Sequence, residues 1–205
     1  MPAPTPRPRR TQAERREATT GKLVDATIAC LAERGYANTS VAAICGRAGV
    51  SQGALFRHFA TRADVIVAAA DEITRRHLAQ FTAAAPSLRA DALERIVVLV
   101  RALTRTDTHA AWREIMVAAR TDPDLRDAAA EGLQSFERRL IDTAAQFLGL
   151  DPRTAERVAV VLLSVMHMFD SEAVTVTVYA NERLERERVR WATQMLAREL
   201  AVLVH

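Results

Sequence analysis

Apolar and polar positions along this chain recur with a period near 3.6, the pattern of helices that bury one face. The first such pattern runs from about Thr11 to Arg34 and puts Val24, Ile28 and Leu31 on one stripe. Gly35 is expected to close it in the left-handed C-terminal position that glycine takes cheaply. Ser40 and Ser51 each precede a short helix and are suited to accept bonds from its unpaired first N–H groups. Thr61-Arg62-Ala63-Asp64 reads as a capping box opening a fourth helix. Asp122-Pro123 and Asp151-Pro152 both join an N-cap to a proline in the first helical position, and Gly149 ends the helix between them. Further helices are predicted over 88–105, 109–120, 123–148, 152–178 and 183–203. The segment 174–179 alternates like a strand, but no second strand exists to pair with it, so it is read as the weak end of a helix. The predicted fold class is all-α.

Composition excludes several alternatives. Seven Gly and seven Pro in 205 residues are too few for a fold built on many tight turns. Two cysteines rule out a disulfide scaffold and a multi-thiolate zinc site. The five histidines, at 58, 77, 109, 167 and 205, show no metal-ligand spacing. There is no Glu-x-x-His pair for a di-iron bundle and no glycine loop to cradle phosphate. No cofactor, metal or catalytic residue is expected. The most apolar run, Val158 to Phe169, falls short of the about 20 residues a bilayer needs and is read as a buried helix. Met1 to Arg10 is Pro-rich and basic, with no apolar stretch for a signal peptide. A cytoplasmic protein with reduced cysteines is the expectation.

Residues 1–16 are read as a disordered, basic, Pro-rich arm, overlapping the onset of the first helical pattern. It is either a solvated tail or an arm that follows a DNA groove. Net charge is only +3, but its distribution is uneven. Residues 1–62 carry ten Lys and Arg against four Asp and Glu, whereas residues 63–205 have a net −3. A basic excess gathered at one end suits phosphate neutralisation.

The segment from Thr39 to Phe59 holds two short helices meeting across Ala48-Gly49-Val50-Ser51. Small residues (Cys45, Ala48) allow close approach, Gly49 makes the turn, and Val50, Leu55 and Phe59 are expected to point inward. This is the construction of a helix-turn-helix, whose second helix enters a DNA major groove. With Gly35-Tyr36 before it, Thr39-Ser40-Val41, Ile44 to Gly53, and Phe56-Arg57-His58-Phe59, the stretch of roughly 20–66 resembles the TetR family of bacterial transcriptional regulators. It departs from the family pattern with Cys45 for Ala, Phe56 for Tyr and Arg62 for Lys.

The resemblance implies phosphate contacts from Thr39 and Ser40 (hydroxyls or backbone N–H groups), Phe56, His58 and Arg62. Gln52, Ala54 and Arg57 are expected to face outward and read bases. Gln suits adenine, Arg suits guanine O6 and N7, and Ala can touch a thymine methyl. Gly53 lets backbone approach DNA. Gly49-Val50-Ser51-Gln52-Gly53 also matches the Gly-x-Ser-x-Gly elbow of hydrolases, but that chemistry needs a strand before the serine, and here a helix precedes it.

The chain therefore divides into a helix-turn-helix DNA-binding domain of three helices over 17–63 and a larger helical bundle over 64–205. The resemblance implies that the bundle binds a small-molecule effector and forms a homodimer through the last two helices. Two copies would then meet palindromic half-sites of double-stranded DNA. On the last helix Val189, Ala192, Leu196, Leu200 and Leu203 make one stripe, flanked by Trp191, Met195 and Val202, wide enough for packing between two chains. Ser164, His167 and Ser171 share one face of the 152–178 helix and are candidate ligand contacts. Trp112, Arg113 and Met116 are candidates from an earlier helix near His109, and Phe136, Met166 and Phe169 could supply apolar walls. The expected function is a homodimeric repressor released from its operator by a small, largely apolar ligand. An all-helical binding or scaffold protein with vestigial DNA binding is the alternative, and it predicts only weak, nonspecific DNA association.

Overall fold

A computed structural model describes residues 11–84 and 93–204. Among these residues the regular structure is helical throughout. The order is α1 (Gln12–Asn38), α2 (Val41–Ala48), α3 (Gln52–Phe56), α4 (Arg62–Ala84), α5 (Leu93–Thr104), α6 (Asp107–Ala118), α7 (Pro123–Leu148), α8 (Pro152–Thr175) and α9 (Glu182–Val204). The fold is all-α, with an N-terminal helix-turn-helix followed by a larger helical body.

Short side chains start most of these helices. Thr11, Ser40, Ser51, Thr106, Asp122 and Asp151 each accept a bond from a first-turn N–H. Thr61 and Asp64 close the expected capping box reciprocally, at 2.8 and 3.1 Å. Because Thr11 and Glu14 form another such box, residues 12–16 are helical and do not belong to the arm expected over 1–16. Residues 1–10, and the expected helix start at 88–92, lie outside the described residues.

Three further expectations are corrected. Gly35 does break α1, but with φ 74° and ψ 169°, an extended positive-φ shape rather than the left-handed helical one, and one more turn follows to Asn38. The α6 helix starts earlier than predicted because Thr106 caps it. Residues 176–179 leave α8 in successive turns, with Val176 and Tyr179 N–H groups bonded to Glu172 and Thr175 carbonyls. The β-branched run can sustain neither a long helix nor a strand without a partner.

Three apolar clusters organise the molecule. The first, in the helix-turn-helix, packs Leu23 and Ala26 of α1 against Ile44, Cys45, Leu55 and Val65. Val50 and Phe59 lean on it from the edge, so the predicted inward residues do lock the turn. The second joins Val24, Ile28 and Leu31 to Ile66 and Ile73 of α4, Ala111 and Ile115 of α6, and Leu125 of α7. Thus the α1 stripe read from sequence faces the body, and α1 serves both units. Leu23, Leu31, Ile44 and Leu55 are fully buried, each contributing about 1.5–3 kcal/mol relative to exposure.

The third cluster unites α5, α7, α8 and α9 around Val97, Leu140, Val158, Val165, Phe169 and Leu196. By length and composition alone α8 could cross a membrane, yet it forms the middle of this core. Its buried Glu172 receives hydrogen bonds from Arg101, Arg105 and Arg188, which tie α5 and α9 to α8. Burial acts to raise the Glu172 carboxyl, but these arginines outweigh it and hold the group below its ordinary value.

Candidate nucleic-acid interface and inner cavity

The turn between α2 and α3 follows from one glycine. Gly49 takes φ 67° and ψ 34°, a left-handed conformation costly for other residues. It ends α2 with its N–H on the Cys45 carbonyl and lets Ser51 begin α3 immediately. The α3 helix is only five residues long. Leu55 is its inward anchor, while Gln52, Gly53, Phe56 and Arg57 are exposed and Ala54 is partly so. Of the residues expected to meet base edges, Gln52 and Ala54 lie on α3 and Arg57 is its C-cap. Arg57 is an exposed cation. Arg47, by contrast, pairs with Glu33 through Nη1 and Nη2, so its charge is offset.

The expected phosphate contacts divide. Ser40 is exposed and caps α2, accepting from Ala43 N–H at 3.2 Å. Its hydroxyl proton and the free N–H groups of the first turn remain available to an anion. Phe56 is half-exposed at the end of α3. Thr39 is corrected: it is fully buried, its hydroxyl donates to the Gly35 carbonyl at 2.8 Å, and its N–H bonds the Tyr36 carbonyl. It fixes the α1–α2 link and has nothing left to offer phosphate.

Arg62 is corrected for the same reason. Its Nε donates to the Thr39 carbonyl at 2.7 Å, its Nη2 to the Tyr36 carbonyl, and its guanidinium lies 4.4 Å from the centre of the Tyr36 ring. The charge is turned inward as a clamp. His58 is half-buried, with Nδ1 2.9 Å from the Thr20 hydroxyl. It braces the end of α3 against α1 and keeps only Nε2 free.

The clamp leads to the body. Tyr36 N–H donates to Glu114 Oε2 at 2.9 Å, and its hydroxyl to Asp122 Oδ2 at 3.1 Å. Burial and the Asp122 bond both raise the Tyr36 phenol above its ordinary pKa, so it stays a donor. Tyr36, Glu114 and Asp122 were not legible as a site, since they lie on three separate elements.

On its other side α6 borders two small adjoining cavities, of about 40 and 30 Å³. His77, His109, Phe136 and Met166 line both, and Trp112 lines the smaller. His109 Nε2 lies 2.9 Å from Asp170 Oδ1, and Arg113 donates to the same oxygen at 3.0 Å. Burial acts to raise Asp170, but the His109 and Arg113 bonds prevail and keep it low. His77 stands 5.0 Å from His109, ring centre to ring centre. Among the described residues its buried Nε2 has no hydrogen-bond partner.

Of the expected ligand contacts, Trp112, Phe136 and Met166 thus reach a cavity. Arg113 stands behind His109, bonded to Asp170 and the Thr104 carbonyl. Met116 packs into the α1–α6 cluster, and Phe169 is fully buried core. Ser164, His167 and Ser171 are corrected. They do share a face, but it is the exposed one, because Leu162, Val165 and Phe169 occupy the inward side of α8. Histidine 77 was missed, since a lone histidine on an amphipathic helix carries no spacing signal.

The dimer stripe is corrected too. Val189, Ala192, Leu196 and Leu200 pack into the subunit's own core, and the Leu203 side chain lies outside the described residues. What faces outward is Trp191 and Val202 on α9 and Val160 and Val174 on α8, all more than half-exposed.

Comparison with known proteins agrees with this architecture. Residues 23–69 match the sequence profile of bacterial regulatory proteins of the tetR family. An HTH-type transcriptional regulator of Mycobacterium tuberculosis is 38% identical over 189 residues, covering 91% of this chain and 97% of its own. The HTH-type transcriptional regulator CymR of Pseudomonas putida is 32% identical over 199 residues, covering 93% and 95%. Among solved structures, the multidrug binding protein EbrR complexed with malachite green superposes with a TM-score of 0.60. It is 24% identical and covers 88% of this chain and 96% of its own.

Proposed function

We propose, from the premise that this chain belongs to the TetR family of bacterial transcriptional regulators, that it is a homodimeric repressor released from a palindromic operator by a small, largely apolar ligand. The family relation makes it a helix-turn-helix DNA-binding regulator, not an enzyme. Release by ligand is the finer reading. The observation that carries it is the position of α6, which lines the cavities with His109 and Trp112 and holds the DNA reader through Glu114.

Any shift of α6 that admits a ligand must also move the Tyr36 turn, because packed interfaces deform together. In a dimer such a shift changes the distance between the two recognition helices and lowers operator affinity, provided the ligand prefers the shifted state. The same fold carries a multidrug binding site in EbrR, solved with malachite green.

In this reading Gln52, Ala54 and Arg57 read bases, Gly53 allows close approach, and Ser40, Phe56 and the free side of His58 meet phosphates. Dimerisation uses the outward faces of α8 and α9, where Trp191 and Val160 would be covered together with His167. Selection of bound genomic fragments, followed by footprinting, tests the proposal. A two-fold symmetric footprint is expected, together with a salt-dependent affinity. Weak binding indifferent to sequence would refute it.

A further inference from the structure

Among the described residues, one fully buried side-chain nitrogen beside the inner cavity has no hydrogen-bond partner. His77 Nε2 is shut off from solvent and has no partner among the described residues, and its ring lines both cavities. Nearby polar groups are engaged: His109 Nε2 with Asp170, the Thr104 hydroxyl with the Arg101 and Phe169 carbonyls, and the Thr74 hydroxyl with the Ala70 carbonyl. The remaining wall is apolar, from residues such as Val100, Leu140, Leu162 and Met166. An unpaired buried atom has a standing cost, so an occupant that bonds it recovers that cost as affinity.

We propose that this cavity takes a small, uncharged, mostly apolar molecule with a single hydroxyl, such as an alkylphenol, whose hydroxyl bonds His77 Nε2. The inference rests on the ligand-responsive reading above and names the ligand's chemistry. A hydroxyl both donates and accepts, so it suits either tautomer of a neutral imidazole. Burial, with His109 beside it, pushes His77 down to about 4, so the ring is neutral near pH 7. A carboxylate would lie buried opposite a neutral ring, since Arg113 lines neither cavity and its Nη1 is held by Asp170 and the Thr104 carbonyl, and an unpaired buried charge is strongly disfavoured. Entry of a ring requires more room than the present spaces of about 40 and 30 Å³ provide. Phe136 and Met166 border both spaces, and a flexible methionine can yield to join them.

Calorimetry on the full chain with 4-propylphenol, propylbenzene and 4-propylbenzoate tests this. The phenol is expected to bind about tenfold more tightly than either of the others. In His77→Leu the phenol and the hydrocarbon should converge to within about twofold. Long-range proton–nitrogen NMR on the wild-type chain supplies a check that needs no variant: the His77 Nε2 signal should move with the phenol and stay with propylbenzene. Binding of none of the three, equal binding of the hydrocarbon or the benzoate, or a phenol preference that survives His77→Leu would overturn the proposal. Operator affinity is measured separately. Phenol binding without operator release refutes the ligand-release reading and leaves this one standing, while release by the benzoate alone does the reverse.

Discussion

The hydroxyl of Tyr36 donates to Asp122 across 86 positions of sequence, and the Asp122 carboxylate also caps α7 by accepting from Leu125 N–H. One aromatic ring thereby links the start of a body helix to the turn that carries the helix-turn-helix. Arg62 stacks on the same ring, so this ring adds a polar joint to the α1 packing that ties reader to body.

Loss of that bond is expected to be modest in stability and larger in communication. Tyr36→Phe should cost about 1 kcal/mol in urea unfolding, the net worth of one hydrogen bond. It should also reduce the effect of any releasing ligand on operator affinity. Unchanged ligand response in fluorescence anisotropy would remove Tyr36 from the path.

Gly35 sits at the same joint with little room. A Cβ there would meet Glu114 Oε2 at 3.0 Å, on a backbone with φ +74°. Gly35→Ala is expected to destabilise by about 1–3 kcal/mol, measured by chemical denaturation. A neutral result would mean that the turn relaxes freely.

Arg57 and Arg62 should separate reading from building. Arg57→Ala is expected to weaken specific binding by about 1–3 kcal/mol and relax one base position. Arg62→Ala should instead lower the melting temperature and weaken all DNA binding alike, because its nitrogens hold the Thr39 and Tyr36 carbonyls. Selection profiles of the two variants distinguish these outcomes. An equal loss on random DNA for Arg57→Ala would contradict its role.

The ion network at Glu172 predicts acid sensitivity. Its pKa is lower folded than unfolded, so its stabilising contribution is complete above the ordinary glutamate range, about pH 4 to 5. The contribution is lost as pH falls through the lowered folded value. Glu172→Gln leaves three arginines facing a neutral group and should cost about 3 kcal/mol at pH 7, with a flatter stability profile below pH 5. A variant that melts in parallel with wild type across this range would argue against the network.

Trp191 tests the assembly. It is 55% exposed in the single chain, and tryptophan is enriched among the few interface hot spots whose truncation costs about 2 kcal/mol or more. Trp191→Ala should shift sedimentation from dimer toward monomer at micromolar concentration and weaken operator binding together. Wild-type protein that sediments as a monomer would refute the dimer.

Local rules decide where most of these helices begin and end. Caps at Ser40, Ser51, Asp122 and Asp151 are decided by neighbours in sequence, and the structure uses each. Gln52 and Arg57 are exposed for a similarly local reason: they stand at the first position and the C-cap of a short helix whose inward anchor is Leu55. Facing was harder for the long helices. On α8, two faces carry apolar residues, and periodicity cannot tell which one a neighbour will cover. Hence Ser164, His167 and Ser171, expected to face a ligand, are exposed, while the α9 stripe at Leu196 serves its own subunit.

The chain order of hydrophobic stripes, caps and the Gly49 turn determined that this protein is helical and that it carries a DNA-reading motif, because those features are short-range. Tertiary packing alone decided that Thr39 and Arg62 turn inward, that His77 Nε2 is shut off from solvent beside a cavity, and that Tyr36 meets Glu114 and Asp122. Each of these depends on which distant element fills the space next to a side chain, and burial, pairing and the loss of water are settled only when that element arrives.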